Sequence, residues 1–131
     1  MQNDQCRGRV LVMDDDEDIR MIAGFYLERC GFSADFAEDG KQAVELYGTA
    51  LSQGRRYAAV IMDLSVPGRM GGLEAIARIT EVDPNLIAFI SSGSPEFLDQ
   101  VEMERLSIRG ILPKPFREND ISQLIEAIGT P

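Results

Sequence analysis

Polar side chains with chemical potential stand where the apolar runs of this chain stop. Val10-Leu11-Val12-Met13 gives way to Asp14-Asp15-Asp16, and Tyr57-Ala58-Ala59-Val60-Ile61-Met62 gives way to Asp63. Leu86-Ile87-Ala88-Phe89-Ile90 ends in Ser91-Ser92-Gly93, and Ile108-Arg109-Gly110-Ile111-Leu112 ends in Pro113-Lys114-Pro115. If those ends meet, carboxylates, a hydroxyl and an ammonium share one small space. Carboxylates so crowded raise each other's pKa unless a cation sits among them. Mg²⁺ suits such a place, because it takes a few carboxylates, keeps waters and leaves positions for phosphoryl oxygens. Lys114 would add a second positive charge, and a serine hydroxyl would add a hydrogen bond. This is equipment for phosphoryl transfer, in which positioning and charge neutralisation do most of the catalysis. No separate base is needed if the carboxylate of Asp63 is itself the nucleophile.

The elements that must position these groups follow from periodicity. The four runs above, with a weaker one at Phe32–Ala37, have the length of strands buried on both faces of a parallel sheet. Between them the sequence predicts helices over about 16–30, 40–53, 71–82, 95–105 and 117–128. Their punctuation is local. Cys30-Gly31 ends the first helix with a C′ glycine, Asp39-Gly40 opens the second, and Asp83-Pro84 closes the third. Ser94-Pro95 starts the fourth as N-cap and first helical residue, and Asn119-Asp120 lies in the first turn of the fifth. Strict βα alternation, five times over, implies an α/β fold with helices on both faces and right-handed crossovers. The expected architecture is a flavodoxin-like (βα)5 with a five-stranded parallel sheet in the order 2-1-3-4-5. Its switch point lies between strands 1 and 3, where Asp14, Asp15 and Asp63 would face one another.

Composition narrows the function. With 131 residues the chain suits one domain, read as a flexible tail over 1–7 and a folded unit over 8–129. The net charge of −9 argues against a nucleic-acid surface. No apolar stretch approaches a membrane span, and Met1–Arg9 has no signal-peptide core, so a cytoplasmic protein is expected. Cys6 and Cys30 are too few for a disulfide scaffold and read as reduced thiols, one in the tail and one in the core. The absence of histidine removes His-based triads and metal sites.

Together these residues resemble the receiver domain of two-component response regulators. The resemblance spans about residues 8–128 and rests on V-L-V-M-D-D-D (10–16), V-I-M-D-L-S-V-P-G (60–68), I-S-S-G (90–93) and L-P-K-P-F (112–116). P-G-R-M-G-G (67–72) and G-R-V-L-V-M-D-D (8–15) resemble receivers attached to hybrid sensor histidine kinases. The resemblance implies that Asp63 is the phosphoacceptor, with Asp15 a direct Mg²⁺ ligand, Asp14 a ligand mostly through water, and the Ser65 carbonyl a third protein ligand. It implies that Ser92, which precedes Gly93, is the hydroxyl that turns toward the phosphoryl group. It implies that Lys114 is the site lysine, in a proline neighbourhood that in such domains often holds a cis peptide. The strand-5 switch position, usually Tyr or Phe, is Ile111, so activation is expected to run through Ser92 and the loop at 92–96. The donor would be a sensor histidine kinase or a histidine phosphotransfer protein. The chain would be a monomer when unphosphorylated, and no enzyme beyond its own phosphorylation and autodephosphorylation.

Competing readings exist for several of these groups. Asp16, Glu17 and Asp18 fit a helix N-terminus favoured by the macrodipole. Asp14, Asp16 and Asp18 mimic a calcium loop, but Ile19 stands at its turn glycine and Phe25 at its twelfth position. The rival function is a phosphatase of the haloacid-dehalogenase type, with an Asp nucleophile on strand 1 in D-x-D-x-[TV]. Here the fifth position is Asp18 and the chain has no room for a cap domain. For the donor, Ile19, Pro115 and Phe116 are expected to form an apolar docking patch. Met21 and Phe25, opposite the core stripe of the first helix, form a second one.

Overall fold

A computed structural model describes residues 6–93, 100–106 and 108–128. Its elements are β1 (Gly8–Met13), α1 (Glu17–Arg29), β2 (Phe32–Ala37), α2 (Gly40–Ser52), β3 (Ala59–Asp63), α3 (Gly72–Val82), β4 (Ala88–Ser92), α4 (Gln100–Arg105), β5 (Ile108–Pro113) and α5 (Glu118–Ile128). All neighbouring strands are parallel and the order is β2-β1-β3-β4-β5, as the alternation predicts.

The period-2 alternation of each strand sends side chains into two apolar layers. Val10, Val12, Ala59, Ile61, Phe89 and Leu112 pack with α1 and α5, through Ala23, Leu27, Ile121, Leu124 and Ile125. Leu11, Met13, Val60, Met62, Ala88 and Ile90 pack with α2 and α3, through Ala43, Tyr47, Ala75, Ile76 and Ile79. The central strands are fully buried because helices cover both faces.

The helix ends follow the chemistry of their caps. Asp16 caps α1 by accepting from the Asp18 N–H at 2.9 Å, and Asp39 caps α2 by accepting from the Gln42 N–H at 2.9 Å. Gly31 closes α1 at φ +89°, a conformation that side chains disfavour. Ser94-Pro95, the expected start of α4, lies outside the described residues.

Several strand limits differ from the apolar runs: β1 starts two residues earlier, at Gly8, and β3 and β5 each extend one residue further, to Asp63 and Pro113. β3 begins at Ala59, where its pairing with Val10 of β1 starts, rather than at Tyr57, whose hydroxyl donates to Asp35 at 2.6 Å. β4 runs two residues later than its apolar stretch and carries Ser91 and Ser92 inside the strand. The expected tail is anchored at its inner end: the Arg7 N–H donates to the Gly31 carbonyl at 2.7 Å, and its guanidinium lies 5.1 Å from the Phe32 ring centroid.

Candidate functional site

Three strand ends deliver the site. β1 passes into Asp14, which is 1% exposed, and β3 ends in Asp63, which is 4% exposed. β5 passes into Lys114, which crosses back toward the centre of the sheet. Its Nζ stands 2.8 Å from Asp14 Oδ2 and 3.0 Å from Asp63 Oδ1. One ammonium therefore bridges two buried carboxylates from different strands. The Lys114–Pro115 peptide is cis.

The surroundings set the charge balance. Burial pushes the Asp63 carboxyl above the usual carboxylate range; Lys114 opposes that rise and the charge of Asp14 adds to it. Burial pulls the Lys114 ammonium down, but its bonds to Asp14 and Asp63 outweigh this, and its pKa lies above that of an ordinary lysine. The other Asp14 oxygen, Oδ1, accepts from the Asp16 N–H at 2.9 Å. Asp15 is exposed at the same rim. Carboxylate oxygens of Asp14, Asp15 and Asp63 lie within 4.8 Å of one another. An octahedral Mg²⁺ has opposed ligands about 4.2 Å apart, so oxygens this close can share one ion with little movement. The donors are all hard oxygens, as that ion requires.

Glycines let α3 approach the acceptor. A Cβ on Gly72 would stand 2.5 Å from the Asp63 carbonyl oxygen, and one on Gly71 would stand 2.8 Å from that of Leu64. The stretch 67–72 thus allows a helix to begin against the backbone of Asp63. The same loop is tied to α2: the Gly40 N–H donates to the Met70 carbonyl at 2.8 Å, and Arg69 pairs with Asp39 at 2.7 Å.

Residues 10–126 match the response regulator receiver domain family. The chain belongs to that family. The receiver is 29% identical over 121 residues to the chemotaxis protein CheY of Thermotoga maritima, covering 92% of this chain and 93% of that one. It is 32% identical over 113 residues to the transcriptional regulatory protein YrkP of Bacillus subtilis, covering 86% of this chain and 46% of the relative. It thus spans nearly the whole of CheY and about half of such transcriptional regulators. Among solved structures it superposes on a LuxR-family response regulator from Aurantimonas with a TM-score of 0.74 and 27% identity, covering 92% and 83% of the two chains. It superposes on the Mg²⁺-BeF complex of the response regulator TrrA of Thermotoga maritima with a TM-score of 0.79 and 21% identity, covering 92% and 98%. The chain is a receiver, a phosphoacceptor signalling switch, and nothing in its fold or its relatives points to a haloacid-dehalogenase phosphatase.

Within the receiver, the residues singled out from the sequence fall in different places. Asp14, Asp15, Asp63 and Lys114 come together. Ser65 lies two residues past Asp63, exposed, and its N–H faces Asp63 Oδ1 at 3.4 Å. Ser92 is buried at the end of β4, 7% exposed. Ile111 is half-buried and packs with the layer beneath α2 and α3. The docking patch needs a correction at Phe116. Its side chain is 4% exposed and lies in the α1/α5 layer with Leu112 and Ile121, because that layer gains more from the ring than solvent does. Ile19 is half-buried against the same layer, while Pro115 is exposed. Met21 and Phe25 are 63% and 59% exposed, as expected, and converge with the 42% exposed Phe36 of β2 around a cavity of about 350 Å³.

Sequence reasoning missed Arg20, whose guanidinium donates to the Asp14 carbonyl at 2.7 Å and braces the rim. Its spacing from the Asp16 N-cap, one helical turn, was the available signal. It also missed Asp83, a buried carboxylate that accepts from Tyr47 Oη at 2.6 Å and pairs with Arg56 at 2.8 Å.

Proposed function

We propose that this receiver takes a phosphoryl group from the phosphohistidine of a sensor histidine kinase or a histidine phosphotransfer protein onto the carboxylate of Asp63. The observation that carries this reading is the Lys114 ammonium set between Asp63 and Asp14 at 3.0 and 2.8 Å, beside the cluster with Asp15. An Asp63 oxygen attacks phosphorus, the P–N bond of phosphohistidine breaks, and the imidazole leaves. Asp14, Asp15, Asp63 and the Ser65 carbonyl would hold Mg²⁺, which when bound neutralises charge on the phosphoryl oxygens.

The rest falls to the chain's own groups. The phosphoryl group brings roughly −1 to −2 of charge into a site already rich in acids. Lys114 turns from the carboxylate, which loses its charge on phosphorylation, toward the phosphoryl oxygens. The Ser92 hydroxyl hydrogen-bonds a phosphoryl oxygen, and the β4–α4–β5 surface shifts between two populated states. Since Ile111 has no ring to rotate, the Ser92 end of β4 leads that change. The donor docks across Ile19 and Pro115, next to the acceptor, with Met21 and Phe25 as an outer contact.

This role suits a cytoplasmic protein that is monomeric until phosphorylated, and no described helix is long and apolar enough to cross a membrane. The test is Mg²⁺-dependent labelling by a small-molecule acyl phosphate, read by intact mass. One hydroxylamine-labile phosphoryl group per chain supports the proposal. Sustained turnover of the donor with no label retained on the chain refutes it.

A further inference from the structure

Ser91 carries a buried hydroxyl at the end of β4. The residue is 1% exposed, and its Oγ has no hydrogen-bond partner among the described residues. Burying a hydroxyl without a partner costs about 1–3 kcal/mol, which an aliphatic side chain at this position would avoid. Its position supplies a use. Ser91 is the β4 residue paired with Asp63 on β3, and on its other side it is paired with Leu112 on β5. Ile61, Phe89 and Leu112 all face the α1/α5 layer. Alternation puts Asp63, two residues past Ile61, and Ser91, two residues past Phe89, on that same face. Lys114 starts beyond the end of β5 and reaches Asp63 on β3, so its side chain passes over β4, where Ser91 stands.

We propose that Ser91 is a positioning residue for Lys114: its hydroxyl accepts a hydrogen bond from the ammonium when Asp63 carries the phosphoryl group. This rests on reading Asp63 as the acceptor. In the unphosphorylated chain the ammonium is held by two carboxylates, Asp14 and Asp63. Phosphorylation removes the carboxylate charge of Asp63 and frees an N–H. Ser91 Oγ receives that N–H from below, and the remaining N–H groups point at Asp14 and the phosphoryl oxygens. Ser92, the next residue, sits on the opposite face by alternation and addresses the phosphoryl group from the other side. The two serines are therefore not interchangeable: Ser92 serves the phosphoryl group and Ser91 serves the lysine.

The experiment compares the full chain with Ser91→Ala, Ser91→Val and Ser91→Thr. Each is labelled by acetyl phosphate with Mg²⁺, and rates of labelling and of label loss are followed by intact mass beside melting temperature. Loss of one hydrogen bond to a charged group predicts labelling slowed roughly tenfold in Ser91→Ala and Ser91→Val, with undiminished melting temperature. Ser91→Thr, which keeps the hydroxyl, restores the rate to within about threefold, a residual consistent with the added methyl. Wild-type rates of labelling and label loss in Ser91→Ala and Ser91→Val overturn the proposal. So does equal slowing in all three variants, which would trace the effect to packing. Failure of the wild-type chain itself to take label is a different result: it removes the acceptor reading, and this proposal with it.

Discussion

Replacing Lys114 by Met leaves a side chain of similar length and removes the charge that joins Asp14 to Asp63. At 2.8 and 3.0 Å, each attraction is about 6 kcal/mol at an effective dielectric near 20. Most of that is offset by the cost of bringing the ammonium out of water, which is why burial alone pulls its pKa down. What remains on removal is the penalty of two carboxylates, 1% and 4% exposed, facing each other without a cation. Breaking a buried pair in this way costs about 3–5 kcal/mol, a large share of the stability of a domain this size. The loss should depend on pH. Burial already raises the folded-state pKa of Asp63, and loss of Lys114 raises it further. A carboxyl whose pKa is higher folded than unfolded binds more protons in the native state, so stability falls as pH rises from about 4 through the folded pKa. Urea melts of wild type and Lys114→Met in EDTA should differ by about 3–5 kcal/mol near pH 7.5 and by much less near pH 4. Adding Asp14→Asn to Lys114→Met should recover much of the loss. An equal loss at both pH values, or none at pH 7.5, would refute the electrostatic reasoning.

Three further expectations follow from other parts of the molecule. Gly72→Ala puts a Cβ 2.5 Å from the Asp63 carbonyl oxygen, so it should lower stability by about 1–3 kcal/mol and slow labelling by a small phosphodonor; wild-type behaviour in both assays would show that α3 moves aside freely. Although burial raises the Asp83 carboxyl, Arg56 and Tyr47 hold it below its ordinary value. Its stabilisation is therefore present above the unfolded carboxylate pKa and lost as pH falls through the folded one, and Asp83→Asn should destabilise the receiver at neutral pH and progressively less as pH falls into the acid range in denaturant melts. Ile19→Ala should slow transfer from a phosphohistidine donor protein while sparing acetyl phosphate, and equal loss with both donors would end the docking reading.

The parallel sheet and its order were legible because β1, β3 and β4 are built on continuous apolar runs, β5 on an apolar stretch interrupted only by Arg109 and Gly110, and every interval between strands carries helical periodicity. The site was legible for the same reason: in this topology the residues that stop the runs at β1, β3 and β5 must meet. Face assignment succeeded on α1, where Met21 and Phe25, expected opposite the core stripe, point outward while Ala23 and Leu27 are buried. It failed at Phe116, since a single residue after a strand has no period to reveal which way it points. β4 was placed too early because serines carry no apolar signal, yet Ser91 and Ser92 extend the strand, Ser91 opposite Asp63 and Ser92 opposite Pro113. The Tyr47–Asp83–Arg56 network was invisible because it joins residues 27 and 36 positions apart, through contacts that only the folded chain creates.

The central claim is that Asp63, rather than its neighbours Asp14 and Asp15, becomes the acyl phosphate. The most direct measurement is to phosphorylate the chain with a phosphohistidine donor and Mg²⁺, reduce the acyl phosphate with borohydride, and map the product by peptide mass spectrometry. Reduction should convert Asp63 to homoserine and leave Asp14 and Asp15 unchanged, with no conversion in Asp63→Asn. Conversion at Asp14 or Asp15, or labelling that survives in Asp63→Asn, would contradict the account.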